Sequence, residues 1–301
     1  MRKAAALLAA LFLLTGCAAR QQPVPAPQPT EAPAPLSLPA EKASAAGCEA
    51  MPMTMDGLLL AKAWYRNGCC YVPVRALCAF FDREMSWSGD ADSFSLHIDN
   101  LSVRGTRGQE YYTAAGRYVW APEDWLVRGG ELYLPARTLE KLFSLETERD
   151  EDGKLAISSE GMALLTGGPD YYELNYPTEE LYWLSHIIAA EARFEPLDGQ
   201  IGVGNVVMNR VRSERFPGTV FEVIYDTVNA IQFEPIALGG IREDPSEQAM
   251  IAACLVLEGA ETVGDSLYFV NPDYADTWWF DSALEQTARI GNHNFYSERS
   301  E

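Results

Sequence analysis

The order of apolar and polar positions divides the chain into stretches of different period. Arg2 and Lys3 precede an apolar run from Ala4 to Leu14, which closes on Thr15-Gly16-Cys17. That run is too short to cross a bilayer as a mature helix, so residues 1–16 read as a removable export signal. Residues 17–47 are a linker rich in Pro and Ala (PVPAPQPTEAPAPLSLPAE), a composition that stays extended and builds no core. Across residues 48–160 one motif occurs twice. Tyr71-Val72-Pro73-Val74-Arg75-Ala76-Leu77 returns 62 positions later as Tyr133-Leu134-Pro135-Ala136-Arg137-Thr138-Leu139. Each copy leads into a short amphipathic run (Ala79-Phe80-Phe81; Leu142-Phe143) and then an alternating segment (93–98; 154–157). Each copy therefore predicts strand, short helix, strand. Pro73 and Pro135 are expected in the first helical turn, where a missing N–H costs nothing.

From about residue 175 to 301 the period turns helical. One helix is expected from Thr178 to Phe194, stopping before Pro196. A second begins near Asp198 and runs through Ser213. A third opens at Asp244-Pro245-Ser246-Glu247, a capping-box pattern with Pro at the first position, and continues through AMIAACLVLEGAE. The stretch from Ser266 to Tyr296 is aromatic and expected to be loop-rich. The fold class is thus α+β, a small two-repeat accessory domain followed by a mostly helical one. On the first helix, Leu181, Leu184, Ile188 and Glu191 fall within an arc of roughly 80°. Glu191 continues an apolar stripe.

That placement gives Glu191 a chemical reading. A carboxyl group partly withdrawn from water holds its proton more tightly and can deliver it to a leaving oxygen, as a glycosidase acid must. The competing reading is a structural Glu paired with Arg193 or Arg210. The net charge of −20 excludes nucleic acid as the main partner, because no basic face is left to neutralise phosphates. Beyond Cys17 there are five cysteines, four of them between residues 48 and 78, so one or two disulfides are possible there and at least one thiol is left over. No HExxH occurs, and no metal or other cofactor is expected. Cys254 sits mid-helix as a core cysteine would, and Gly202-Val203-Gly204 lacks the strand and third glycine of a dinucleotide site.

Leu14-Thr15-Gly16-Cys17 resembles a bacterial lipobox, which implies cleavage before Cys17, a lipid on its thiol, and anchorage to the outer face of the cytoplasmic membrane. A plain secretory signal would carry the same apolar run with no role for Cys17. The paired motifs of residues 48–160 resemble the copper amine oxidase N-terminal-like domain, an accessory module; here its single His gives no copper site. The stretch Ala190-Glu191-Ala192-Arg193-Phe194-Glu195-Pro196 with Gly199-Gln200 resembles the signature of the cell wall hydrolase family, that of spore cortex-lytic enzymes. Further matching blocks are 205–211, 215–217, 223–225, Gln232-Phe233, 267–269, Asn271-Pro272 and 290–296.

That second resemblance implies a lysozyme-like fold and lytic transglycosylase action on the bond between N-acetylmuramic acid and N-acetylglucosamine in peptidoglycan, with Glu191 as the single acid/base. For substrate contacts it and the residue types suggest Gln232, Phe233, Tyr268, Asn271, Trp278, His293 and Tyr296, aromatic faces beside polar groups. The chain departs from the family at Phe194, where Gly is usual and a larger ring would reshape the groove. It departs again at Glu234, a second carboxylate that would allow hydrolysis by water. Glu195 reads as structural. Two alternatives stay open: a hydrolytic muramidase, and a wall-binding or assembly lipoprotein with little activity.

Overall fold

The computed structural model describes residues 47–167, 178–226 and 240–299. The export signal, Cys17, nearly all of the Pro/Ala linker, Gln232, Phe233 and Glu234 lie outside the described residues.

The N-terminal part is built from β1 (Glu49–Met55), β2 (Leu58–Arg66), β3 (Cys69–Pro73), α1 (Val74–Phe80), β4 (Met85–Gly89), β5 (Ser93–Ile98), β6 (Leu101–Thr106), β7 (Tyr111–Ala114), β8 (Arg117–Trp120), β9 (Leu126–Arg128), β10 (Glu131–Pro135), α2 (Ala136–Phe143), β11 (Glu146–Arg149) and β12 (Leu155–Ser158). One seven-stranded sheet has the order β11-β12-β1-β2-β3-β10-β9, and a five-stranded meander runs β4 to β8. The repeated motif explains itself in this sheet. Its two strands lie side by side and antiparallel, with Tyr71 opposite Pro135, Val72 opposite Leu134 and Pro73 opposite Tyr133. Both prolines end their strands at the cap position, one residue before the helix rather than within its first turn. Both sheets and both short helices send side chains into one core, including Met53, Leu77, Leu96, Val103, Tyr112, Trp125, Leu134, Phe143 and Ile157.

The C-terminal part contains α3 (Thr178–Ala192), α4 (Leu197–Arg212), α5 (Val220–Ile224), a single 3-10 turn (Gly240–Arg242), α6 (Glu247–Leu257), β13 (Tyr268–Val270), α7 (Trp278–Ala283), β14 (Leu284–Ile290) and β15 (His293–Glu298). Its core joins Leu184, Ile187 and Ile188 of α3 to Val203, Val206 and Val207 of α4 and to the apolar residues of α6. Gly204 allows that approach: a Cβ there would stand 2.8 Å from Val256 Cγ2 and 3.0 Å from Ile188 Cδ1. The glycines of α4 serve helix packing. Two expectations are corrected. The cap of α6 is Ser246, whose Oγ accepts from Ala249 N at 3.1 Å, so Pro245 precedes the cap. The aromatic tail is a three-stranded antiparallel sheet, β13-β15-β14, plus α7, rather than loop.

The two parts meet through β8. Tyr118 is buried with the C-terminal helices. Beside it Glu258, at the end of α6 and 4% exposed, receives Arg117 Nε at 2.7 Å and Lys141 Nζ at 3.0 Å.

Candidate active site

The last turn of α3 carries Glu191. Leu184 and Ile188 below it are fully buried and Leu181 nearly so. Glu191 itself is half-buried, with Oε1 sealed from solvent. On α4, Arg210 is only 4% exposed. Its Nε donates to the Leu267 carbonyl at 2.8 Å, and its guanidinium lies 5.2 Å from the Phe216 ring centroid and 5.8 Å from that of Tyr268. Burial pushes the Arg210 pKa down to about 10, while Tyr268, Asp226 and Glu191 draw it back up. Helices α3 and α4, the segment after α5, and β13 thus bring Glu191, Arg210, buried Asp226 and Tyr268 into one electrostatic neighbourhood. Arg193 belongs elsewhere, paired with Glu243 at 3.2 Å on the surface.

Glu195 has a different task. It is buried, and its carboxylate accepts from Asn292 N and from Asn292 Nδ2, both at 2.9 Å. Gln200 Nε2 donates to its carbonyl at 3.2 Å. The partner loop turns at Gly291 with φ +56°, and a Cβ there would fall on Glu195 Oε2. Glu195 therefore ties the end of α3, one turn beyond Glu191, to the β14–β15 turn.

The proposed substrate contacts divide. Trp278 is 73% exposed, and Tyr268 is partly exposed with its ring edge-on to Trp279, centroids 6.2 Å apart. Asn271 spends its Oδ1 on Asp273 N at 3.0 Å, closing a local turn. His293 and Tyr296 are corrected to interior residues. His293 is buried edge-on against Phe269 at 5.3 Å, with Nδ1 3.8 Å from Glu195 Oε1. Burial holds its pKa below the usual imidazole value, with Glu195 opposing. Tyr296 is fully buried, donating its hydroxyl to Asp281 Oδ1 at 2.8 Å and accepting from Asn294 Nδ2 at 3.3 Å. Gln232 and Phe233 fall outside the described residues. Phe194 is 92% exposed. Sequence reasoning passed over Asp226, and weighed Arg210 only as a structural partner. The signal for Arg210 was there: it shares the apolar stripe of α4 with Val203, Val206 and Val207.

Residues 194–296 match the Cell Wall Hydrolase family, and residues 56–157 match the Copper amine oxidase N-terminal domain. The C-terminal domain belongs to the cell wall hydrolase family. The hydrolase match begins three residues after Glu191, so the assignment of Glu191 rests on its motif and its surroundings. The chain is 33% identical over 120 residues to a spore cortex-lytic enzyme of Oceanobacillus iheyensis, covering 40% of this chain and 42% of that one. For the spore cortex-lytic enzyme of Bacillus subtilis the values are 32%, 40% and 38%. The chain thus spans less than half the length of these curated relatives. Among solved structures, it is similar to the catalytic domain of the germination-specific lytic transglycosylase SleB from Bacillus anthracis, at 33% identity and a TM-score of 0.37, covering 41% of this chain and 98% of that domain.

Proposed function

We propose that this chain cleaves peptidoglycan glycan strands as a lytic transglycosylase, exported and held to the membrane by a lipid on Cys17. The observation that carries the reading is Glu191, a carboxyl half out of water at the end of a buried helix stripe, in a domain of the cell wall hydrolase family. The reaction needs its neutral acid and its carboxylate in turn. Glu191 gives its proton to the glycosidic oxygen as the bond to the anomeric carbon breaks. The carboxylate then takes the proton of the muramic acid 6-hydroxyl while that oxygen bonds to the anomeric carbon. The product is a 1,6-anhydro ring, no water is consumed, and Glu191 regains its proton. One carboxyl group serves both steps, unlike the paired carboxylates of most glycosidases. Tyr268, Trp278 and Trp279 supply aromatic faces for sugar rings, and their partial exposure supports that use.

Mass spectrometry of purified peptidoglycan digested by the full chain tests the reading. Anhydro-muropeptides are expected. Products with reducing ends would replace the transglycosylase with a hydrolase, and binding to sacculi with nothing released would leave a wall-binding lipoprotein. Cys17→Ala is expected to move the protein from the membrane fraction to the soluble one; an unchanged distribution contradicts the anchor.

A further inference from the structure

We infer that the cleft between the two parts binds the peptide stems of peptidoglycan, short chains that carry both carboxylate and ammonium groups. The inference rests on the reading of the chain as a peptidoglycan enzyme, and it gives the N-terminal part a share in holding the polymer. The cleft measures about 540 Å3, within the roughly 300–1,000 Å3 of small-ligand sites, and neither part forms it alone. Val119 and Trp120 of β8 and Arg137, Glu140 and Lys141 of α2 line it from one side; Glu258 and Glu261 line it from the other. Three of these charged groups are already occupied. Glu258 holds Arg117 Nε at 2.7 Å and Lys141 Nζ at 3.0 Å, and Lys141 also donates to the Glu258 carbonyl at 2.9 Å. Glu140 accepts from Thr147 Oγ1. Two groups remain unspent, one of each sign. Arg137 is exposed, and among the described residues its guanidinium makes no ion pair or hydrogen bond; it lies over the Trp120 ring, 4.9 Å from the centroid. Glu261 is exposed as well, and its carboxylate has no ion pair or hydrogen bond among the described residues. This arrangement selects the ligand. Trp120 packs against the C-terminal core and carries Arg137 on its ring, so little bare aromatic face is left for a sugar. A polyanion would be repelled by Glu261. A peptide stem answers both unspent charges: its carboxylate takes paired hydrogen bonds from the Arg137 fork, its ammonium group faces Glu261, and its apolar side chains meet Val119 and Trp120.

The test is calorimetric titration of the full chain with a free stem tetrapeptide, L-Ala-D-Glu-diaminopimelate-D-Ala, which contains no glycosidic bond. Saturable binding is expected. Arg137→Ala and Glu261→Ala should each weaken it about fivefold, the scale of one exposed charged contact. The same peptide with its amino groups acetylated should bind the unsubstituted chain more weakly and lose its sensitivity to Glu261→Ala. With its carboxyl groups amidated it should likewise bind more weakly and lose its sensitivity to Arg137→Ala. An unsubstituted chain that does not bind the tetrapeptide overturns the inference, as does an affinity unchanged in either folded variant. If a variant does not fold, the modified peptides decide: acetylated or amidated peptide held by the unsubstituted chain as tightly as the unmodified one overturns the inference too. Because calorimetry needs no turnover, a chain that binds the tetrapeptide as described but releases nothing from peptidoglycan would defeat the enzymatic reading alone. A chain that releases muropeptides without binding the tetrapeptide would defeat this inference alone.

Discussion

Replacing Glu195 by alanine separates the two carboxyl groups that follow each other along the signature. Glu195 accepts two hydrogen bonds from Asn292, through N and Nδ2, each 2.9 Å long, in a site only 8% open to solvent. Hydrogen bonds to a charged group contribute about 1.5–3 kcal/mol each, and ordering the glutamate side chain takes back up to about 2 kcal/mol. Glu195→Ala should therefore cost about 1–4 kcal/mol of stability. Glu195→Gln should lose only about 1 kcal/mol, since its amide oxygen still accepts from Asn292 N and its NH2 can donate to a flipped Asn292. Urea unfolding followed by tryptophan fluorescence reads both, with the slope m unchanged if the unfolded states match. Turnover in Glu195→Gln should stay close to that of the unsubstituted chain. A Glu195→Ala variant within about 0.5 kcal/mol of the parent would contradict this structural role. A stable Glu195→Gln that has lost turnover would contradict it equally, because Glu195 would then belong to the reaction.

Two further predictions concern the junction between the parts. Glu258→Gln leaves Arg117, 15% exposed, and Lys141 facing a neutral group; breaking a buried pair from one side should cost about 3 kcal/mol and make the junction open to limited proteolysis. A proteolysis pattern identical to the parent's would contradict it. Across the same junction Glu110 and Asp198 face each other, and burial raises both carboxyl groups above their ordinary range. An acid raised in the folded state favours folding while protonated, and that contribution is lost as pH rises from the unfolded value through the folded one. Glu110→Gln should thus gain thermal stability relative to the parent as pH rises above the ordinary carboxylate range of about 4; a difference that stays flat with pH would rule the pair out.

Much of the architecture was legible in residue order because local chemistry and packing agree there. The helix over Thr178–Ala192 stops before Pro196, and the paired motifs became adjacent strands and their helices. The strands β1 and β2 were passed over although their turns are written in the sequence. Asp56-Gly57 and Asn67-Gly68 both adopt positive φ at two successive residues, the pattern of tight hairpin turns. His293 and Tyr296 were misplaced for a different reason. Strand β15 lies between β13 and β14, with the helical core on one face and Phe280 of α7 against Tyr296 at 5.4 Å on the other. Buried on both faces, it shows no alternation by which to tell an inward from an outward residue. Glu191 and Arg210 were marked alike, as charges within apolar helix stripes. Both sit in blocks that match the family, but the resemblance carries a catalytic role only at the Glu, so only the Glu was assigned chemistry.

The central claim is that Glu191 carries the proton. Its most direct test is the rate at which Glu191→Gln releases soluble muropeptides from purified peptidoglycan, compared with the unsubstituted chain at matched fold by circular dichroism. Loss of at least about a hundredfold is expected, the scale on which a positioned acid/base acts. Release at an undiminished rate from a folded Glu191→Gln would contradict the account.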